Sequence, residues 1–365
     1  MRRAVTYPFA VFLFSSLAGC SVYDESLLAE GGARGYPAPP QGAVDGPDGE
    51  ELVFALRNVH LDQATDETWK DIGWNLDRKN TTAQDPIMEC DPPGGIPTVD
   101  GTEGIDNKFG QQLYPILQLR YSNTQARFAG DTLEQFARDS ETSGLGALIV
   151  RVRGYNGLAD DPQVTVDISQ SVFGTQGAAS QATAPSVNAT NKTLANGQPL
   201  PALKWDGNDW FWVRTDNFIG TGMDNPVIED RRAYVSNHQV VIRLPDRATI
   251  RFVGQGLGVS VQLTDAVAVG IMDPAHTTMT VDVGGRWAVA DLIETAQYVG
   301  ICPTAMDFDL LTGILAGFAD LMSDPTQAGT HSTCDALSIG VTFDGPRARI
   351  GGVAPADPLP NPCQP

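Results

Sequence analysis

Apolar and polar residues alternate with a period of two through much of the chain. The alternation runs through residues 148–153, 164–169, 248–252, 257–264 and 337–343, and in each segment one face of an extended strand is apolar. Antiparallel sheets that bury one face have this pattern. Turns rich in Gly, Pro, Asn and Asp separate the segments, which favours a β-sandwich.

Helical spacing of three and four is less frequent. It predicts helices over residues 308–322, where Asp307 can cap the start, over 287–299 and over 105–121, and a short helix over 131–140. The pattern as a whole predicts a mainly β protein. We expect an antiparallel β-sandwich, similar in outline to jelly-roll or concanavalin-like modules, with a few accessory helices.

The first twenty residues have the layout of a secretory signal peptide. Two arginines precede an apolar run over residues 5–14, which is too short to span a bilayer as a helix. The last four residues, Leu-Ala-Gly-Cys ending at Cys20, resemble the lipobox of bacterial lipoproteins. The resemblance implies that residues 1–19 are removed and that Cys20 carries acyl chains such as palmitate. Ser21, in place of Asp, implies sorting to the outer membrane.

Composition divides the remaining chain into two parts. Residues 20–50 are rich in Gly, Pro, Ala and acidic residues and show no apolar period, so we expect a flexible acylated tether. Residues 51–365 carry the alternating pattern throughout, so we expect one large β-sandwich domain with helical insertions.

The charge balance is strongly acidic. Among 365 residues, 24 are Lys or Arg and 44 are Asp or Glu, which gives a formal net charge of −20. Nucleic acids and anionic lipids require a basic surface, so this balance argues against both as partners. It favours a soluble surface that can attract cations.

The chain has five cysteines. If Cys20 carries lipid, four remain, and an even number in an exported protein indicates two disulfides with three alternative pairings. We expect Cys302 to pair with Cys334, linking a helical segment to the following strand, and Cys90 to pair with Cys363.

Two acidic loops suggest a calcium site. Carboxylate and amide oxygens on glycine-bearing loops suit Ca²⁺, and the best candidates are Asp77, Asp100, Asp106 and Asn107. Alternatively, Asp100 or Asp106 caps the following helix and the glycines serve the turn. No cofactor follows with certainty from these loops, and Ca²⁺ is the one they suggest.

Three of the six tryptophans fall within eight residues. Aromatic rings beside polar side chains suit sugar rings, so this block is a candidate glycan platform. Its members are Trp205, Asp206, Asn208, Asp209, Trp210 and Trp212. Alternatively, the block is a hairpin turn whose following strand places Trp210 and Trp212 in the core.

Familiar catalytic motifs are absent from the sequence. The four histidines form no H-E-x-x-H motif, and the chain has no G-x-S-x-G, no phosphate-binding lysine loop and no E-x-D-x-x-E strand. The sequence therefore assigns no catalytic residue. A hydrolase with an unfamiliar site stays an alternative, and a cleft that joins two carboxylates, or a His and a Ser, would favour it.

Four segments together resemble lipoproteins of myxobacteria. They are C-S-V-Y-D-E-S-L-L from Cys20, D-G-x-x-G-I-D-N from Asp100, W-D-G-x-D from Trp205, and C-D-A-L-S-I-G-V-x-F from Cys334. The resemblance implies a lineage and an envelope compartment, and no activity comes with it. The leading hypothesis is a lipid-anchored, non-enzymatic binding module of the outer membrane for a glycan. The alternative is a structural or assembly lipoprotein with an envelope protein as partner.

Overall fold

The computed structural model describes residues 34–42, 49, 51–95, 98–124, 132–178, 180, 182–254, 257–299, 301–305, 308–329, 331–358, 361 and 363. Its strands are β1 (Leu52–His60), β2 (Leu148–Arg153), β3 (Asp161–Thr175), β4 (Val187–Asn188), β5 (Thr193–Leu194), β6 (Trp210–Arg214), β7 (Ile228–Ser236), β8 (Gln239–Arg243), β9 (Ala248–Gly254), β10 (Leu257–Met272), β11 (Thr278–Ala288), β12 (Ala336–Pro346) and β13 (Arg349–Ala354). Its α-helices are α1 (Tyr114–Thr124), α2 (Leu133–Thr142), α3 (Val289–Ala296) and α4 (Phe308–Gly317).

Eight strands form a closed antiparallel barrel in the order β1-β2-β3-β7-β8-β10-β11-β12. The barrel closes because β12 pairs with β1, with Arg57 opposite Asp344 and His60 opposite Thr342. The chain is mainly β as predicted, but the predicted β-sandwich is wrong. Alternation shows only that each strand buries one face, and a barrel meets that requirement as well as two packed sheets do.

The apolar positions of the alternation fill the barrel interior. In the strands they form one contiguous cluster of buried side chains, whose members include Phe54, Val150, Val166, Val235, Ile242, Ala268, Val281, Ile339 and Phe343. Each such side chain stabilises the fold by about 1.5–3 kcal/mol relative to exposure. The barrel is therefore a packed core.

The connections at the two ends of the barrel differ in length. At one end, which we call the turn end, short turns over 154–160, 237–238 and 273–277 join β2 to β3, β7 to β8 and β10 to β11. At the opposite end, the helix end, long connections carry all four α-helices of the described chain. There α2 packs on β1 and β9, and α3 packs on β10 and β11.

The connection after β1 covers the outer wall of the barrel. We call its described residues within 61–108 the strap. Two glycines on the wall allow it to approach closely. A Cβ on Gly284 would lie 2.5 Å from the Trp74 ring, and one on Gly340 would lie 2.4 Å from the Ile72 carbonyl oxygen. Larger residues at these two positions would push the strap away from the wall.

The segment before β1 also lies on the outer wall. Tyr36 is buried and meets the Trp74 ring edge-on at 5.6 Å. Arg34 Nη1 donates to Asp265 Oδ1 at 2.9 Å. Residues 34–40, which we expected to belong to the tether, therefore pack on the barrel.

Two disulfides join Cys90 to Cys334 and Cys302 to Cys363. The predicted pairing is therefore wrong in both bonds. The strap runs beside the start of β12, where the Cys334 N–H donates to the Asp91 carbonyl oxygen at 2.9 Å. This contact, between residues far apart in sequence, brings Cys90 to Cys334.

The predicted helices exist with different bounds. Helix α4 ends at residue 317, five residues before the predicted end at 322, and its predicted cap Asp307 lies outside the described residues. The third predicted helix begins as a π-helical turn, Phe109–Leu113, which leads into α1. Thr132 caps α2 by accepting from the Gln135 N–H, while Asp131 lies outside the described residues. Among the described helices, none has the length and apolarity to cross a membrane.

Candidate functional site

The strap brings the three predicted calcium-binding aspartates together. Asp77 and Asp106 meet where the Asp106 carboxylate accepts from the Asp77 N–H at 3.3 Å. In addition to burial, the charges of Asp77 and of Asp320, which lies in the connection before β12, raise the pKa of both Asp100 and Asp106. Burial is the main cause of the shifts. It raises the pKa of Asp100 to about 7 and that of Asp320 to about 6, and it raises the pKa of Asp106 well above its usual value. Lys108 is buried nearby, and desolvation lowers its pKa.

Backbone N–H groups of the strap donate hydrogen bonds to two of these carboxylates. Asp106 Oδ2 accepts from Leu76 N at 2.6 Å, and Asp100 Oδ2 accepts from Thr81 N at 2.5 Å. Each carboxylate therefore holds one loop of the strap against another. Neither bond caps the following helix, which was the alternative that the sequence left open beside calcium binding.

The fourth candidate, Asn107, faces the barrel wall. Its Oδ1 accepts from the N–H groups of Gly110 and Gly340, both at 3.0 Å, and its Nδ2 donates to Gln63 Oε1 at 2.7 Å. In the described part of the chain, no three His, Cys, Asp or Glu side chains are grouped in a way that could hold a metal ion. Calcium binding by these loops stays a sequence-based prediction.

Protons can neutralise the excess negative charge of this cluster. Asp100 and Asp320 have folded-state pKa values of about 7 and about 6, above the usual 3.8, so the folded protein binds their protons more tightly than the unfolded chain does. Their contribution to stability is complete below pH 3.8 and is lost as the pH rises through 6 and 7. We expect the free energy of unfolding to fall by about 2–4 kcal/mol between pH 4 and pH 7.5. Urea unfolding at a series of pH values measures it.

The variant Asp100→Asn should flatten this pH dependence, because its amide oxygen can still accept from Thr81 N while the group no longer titrates. Asp273→Asn is the matched control. Burial alone would raise the pKa of Asp273, but hydrogen bonds led by the Thr278 N–H lower it to about 2, so its charge is constant across this range. If the free energy of unfolding depended on pH equally in wild type and Asp100→Asn, proton binding by Asp100 would not be the cause.

A buried ion pair lies next to the acidic cluster. Arg286 on β11 and Glu89 on the strap are 1% and 3% exposed, and the guanidinium contacts both carboxylate oxygens. Arg286 also donates to the carbonyl oxygens of Leu76 and Met322, each at 2.9 Å, and to Asp265 Oδ2 at 3.2 Å. All three guanidinium nitrogens therefore have partners, and the strap is fixed to the wall. Arg286 and Glu89 are 197 residues apart, so no local pattern in the sequence indicates this pair.

A cavity of about 410 Å³ adjoins the Cys90–Cys334 disulfide. Pro86, Met88, Asp91 and His331 are among its lining residues. One wall of the cavity is the strap, so its shape depends on the disulfide that holds the strap in place.

The tryptophan block does not form an exposed platform. Trp210 and Trp212 are buried in β6, at 8% and 4% exposure. Trp212 stacks on Phe173 with ring centres 5.1 Å apart, and the Arg57 guanidinium lies 4.6 Å above the half-buried Trp205 ring. Trp210 and Trp212 pack with Val172 and Phe173 in a separate buried cluster, whereas Phe211 and Val213 on the opposite face of β6 pack against the outer wall of the barrel. Burial of the two tryptophans is the alternative that the sequence left open.

The polar members of the block serve the turn before β6. Asp209 Oδ2 accepts from Lys204 N at 3.0 Å and from Trp205 N at 2.5 Å. Asp206 Oδ1 accepts from Asn208 N at 3.0 Å, as in an Asx turn. The structure therefore places these residues together, and their carboxylates stabilise the turn.

A histidine and a hydroxyl group meet at the end of β1. His60 Nε2 lies 3.0 Å from Thr68 Oγ1, and His60 Nδ1 lies 3.4 Å from Glu134 Oε2. Thr68 Oγ1 donates its single proton to Asp66 Oδ1 at 2.7 Å, so its oxygen accepts from His60. A general base needs the opposite direction, so this geometry links β1 to α2 and does not activate Thr68.

The comparisons with known proteins give no family. The chain matches no family model, no curated protein and no solved structure.

Proposed function

We propose that this chain is a lipid-anchored binding module of the cell envelope and that a protein partner docks on its turn end. The observation that carries the proposal is a pair of exposed apolar side chains, Leu158 at 63% and Ile271 at 46% exposure. Exposed apolar residues that lie close together favour a protein contact. The tryptophan rings, which would have supported glycan binding, are committed to packing.

One residue links the two turns that carry these apolar side chains. The His238 N–H donates to the Ala159 carbonyl oxygen at 2.8 Å, and the Met272 N–H donates to the His238 carbonyl oxygen at 3.4 Å. Leu158 and Ile271 are sequence neighbours of these two partners. The turn end thus presents an apolar centre on a hydrogen-bonded framework.

Charge supports a partner with a basic rim. Asp160 on the β2–β3 turn is exposed, and Asp273, with a pKa of about 2, stays ionised at every physiological pH. Together with the net charge of −20, these groups favour encounter with a positively charged surface.

The anchor is part of the proposal. Cys20 lies outside the described residues, and its acylation rests on the lipobox resemblance. Several acyl chains would hold the protein stably at a membrane, where one alone would not. We infer an outer-membrane location from Ser21.

Site-specific photo-crosslinking tests the proposal. A photoreactive residue at Leu158 of the full-length chain, in the envelope of its own cells, should form an adduct with one protein, whereas the same residue at the exposed Asn196 should not. Ile271→Asp should abolish the Leu158 adduct because it places charge in the apolar centre. The control Ile219→Asp, at a side chain 69% exposed on the β6–β7 connection, should preserve it.

A variant without the lipid anchor extends this experiment. Cys20→Ser should release the protein from the membrane fraction and reduce the adduct by lowering the local concentration of the partner. Retention of the purified protein on outer-membrane glycan, with no protein adduct at Leu158, would contradict the proposal and favour glycan recognition.

A further inference from the structure

Two histidines distant in sequence meet at the turn end. His238 lies in the β7–β8 turn and His276 in the β10–β11 turn, and their ring centres are 6.4 Å apart. Alternate turns of an antiparallel meander fall at the same end of a barrel, which is why these two meet. The two histidines share no local spacing in the sequence, so the sequence alone does not predict that they meet.

The backbone holds both histidines in place. Each has a left-handed conformation, with φ of 62° for His238 and 52° for His276. The His276 N–H donates to the Asp273 carbonyl oxygen at 2.8 Å, and its own carbonyl oxygen accepts from Arg347 Nη1 at 3.4 Å. Both residues are half-buried, and their positions are restrained.

Tyr155 determines which nitrogen of His276 is available. The Tyr155 hydroxyl donates to the Leu158 carbonyl oxygen at 2.5 Å, and burial raises the pKa of the phenol, so it stays protonated. Its oxygen lies 3.5 Å from His276 Nε2 and can only accept there. His276 therefore carries its proton on Nε2, and its Nδ1 keeps a free lone pair.

The other ring has an unsatisfied nitrogen. His238 Nδ1 is buried and has no hydrogen-bond partner among the described residues. Buried polar atoms are nearly always paired, so an unpaired imidazole nitrogen beside a second imidazole calls for a ligand.

We propose that His238 and His276 together bind one Cu²⁺ ion, with their ring nitrogens on opposite sides of it. An imidazole nitrogen lies about 1.1 Å from its ring centre and metal–nitrogen bonds are about 2.0–2.1 Å, so two histidines on opposite sides of one ion have ring centres about 6.2–6.4 Å apart. The observed 6.4 Å fits this square-planar arrangement, which Cu²⁺ prefers, whereas a tetrahedral Zn²⁺ would bring the ring centres to about 5 Å. Water or a group of a partner fills the remaining coordination positions.

The neighbouring carboxylate does not alter this preference. Asp273 Oδ1 accepts from the N–H groups of Thr277 and Thr278, both at 2.6 Å, and Oδ2 accepts from the Thr277 hydroxyl at 2.9 Å. Both carboxylate oxygens of Asp273 therefore already accept hydrogen bonds, and the atoms available as metal ligands are imidazole nitrogens. Such a set selects Cu²⁺ and Zn²⁺ over Ca²⁺ and Mg²⁺, which prefer oxygen.

Electron paramagnetic resonance of Cu²⁺ added to the full-length protein in detergent tests the site. We expect nitrogen hyperfine coupling from two imidazoles at one equivalent of Cu²⁺, and no change on adding Ca²⁺. His238→Gln and His276→Gln should each lose one coupled nitrogen and weaken Cu²⁺ binding by at least about tenfold, since even the partners of metal ligands contribute 10–100-fold.

Three further variants separate this site from its alternatives. His331→Gln removes a histidine elsewhere and should leave the spectrum unchanged. Tyr155→Phe should weaken binding while two nitrogens stay coordinated, because Tyr155 only positions His276. Thermal unfolding without metal should be the same for wild type and the two ligand variants. The proposal is overturned if the wild-type spectrum shows only oxygen ligands. It is also overturned if the double variant His238→Gln, His276→Gln retains the nitrogen hyperfine coupling. This test needs no protein partner, so its outcome is independent of the proposed function.

Discussion

Arg286→Met should lower the free energy of unfolding by about 3–5 kcal/mol, because removal of one partner leaves the other charge buried and uncompensated. Glu89 is 3% exposed, so its carboxylate is left poorly solvated when the guanidinium is lost. The carbonyl oxygens of Leu76 and Met322 lose a donor at the same time. Guanidinium chloride unfolding, monitored by tryptophan fluorescence, measures the change.

Two comparison variants identify the cause of this loss. Adding Glu89→Gln to Arg286→Met should recover part of the stability, because the neutral amide removes the buried charge and can still accept from Met322 N. Arg231→Ala breaks an exposed pair with Glu229, in which the arginine side chain is 69% exposed, and should cost no more than about 1 kcal/mol. If Arg286→Met and Arg231→Ala had equal effects, the strap would not depend on the buried pair.

Removing the Cys90–Cys334 disulfide should have an effect of similar size. The two cysteines are 244 residues apart, so the bond restricts a long loop of the unfolded chain. Replacing both cysteines by alanine should lower the free energy of unfolding by about 3–5 kcal/mol. Cys90 also follows Glu89 directly, so its release loosens the strap where the ion pair holds it.

The second disulfide provides the matched control. Cys302 and Cys363 are 61 residues apart. Chain entropy alone makes that bond worth about 1 kcal/mol less, and it does not hold the strap. The double alanine variant of this pair should therefore be the more stable of the two in denaturant unfolding. The reverse order would show that the C-terminal link, not the strap, dominates stability.

The strands were predictable, and the closure of their sheet was not. The five alternating segments from residue 148 to residue 343 all lie in observed strands, because a strand must bury one face locally whatever its neighbours are. Closure depends on whether β12 reaches β1, and these strands are separated by most of the chain. Local alternation carries no information about that pairing.

The candidate site was likewise predicted only in part from the sequence. The sequence singled out Asp77, Asp100 and Asp106 from their loops, and the structure brings them together, but Asp320 joins them from a region with no recognisable motif. Cys90 meets Cys334 for a similar reason, since the path of the strap over the wall determines which sulfur atoms are neighbours.

The sequence by itself determined the mainly β class, the apolar face of the alternating strands and the acidic composition, because each depends on composition or on residues a few positions apart. Only the tertiary structure decided the closed barrel, the disulfide pairing, the burial of Arg286 with Glu89, and the meeting of His238 with His276. These features depend on contacts between residues distant in the chain. Such contacts form only when the whole core packs, so they follow from the global arrangement and not from any local pattern.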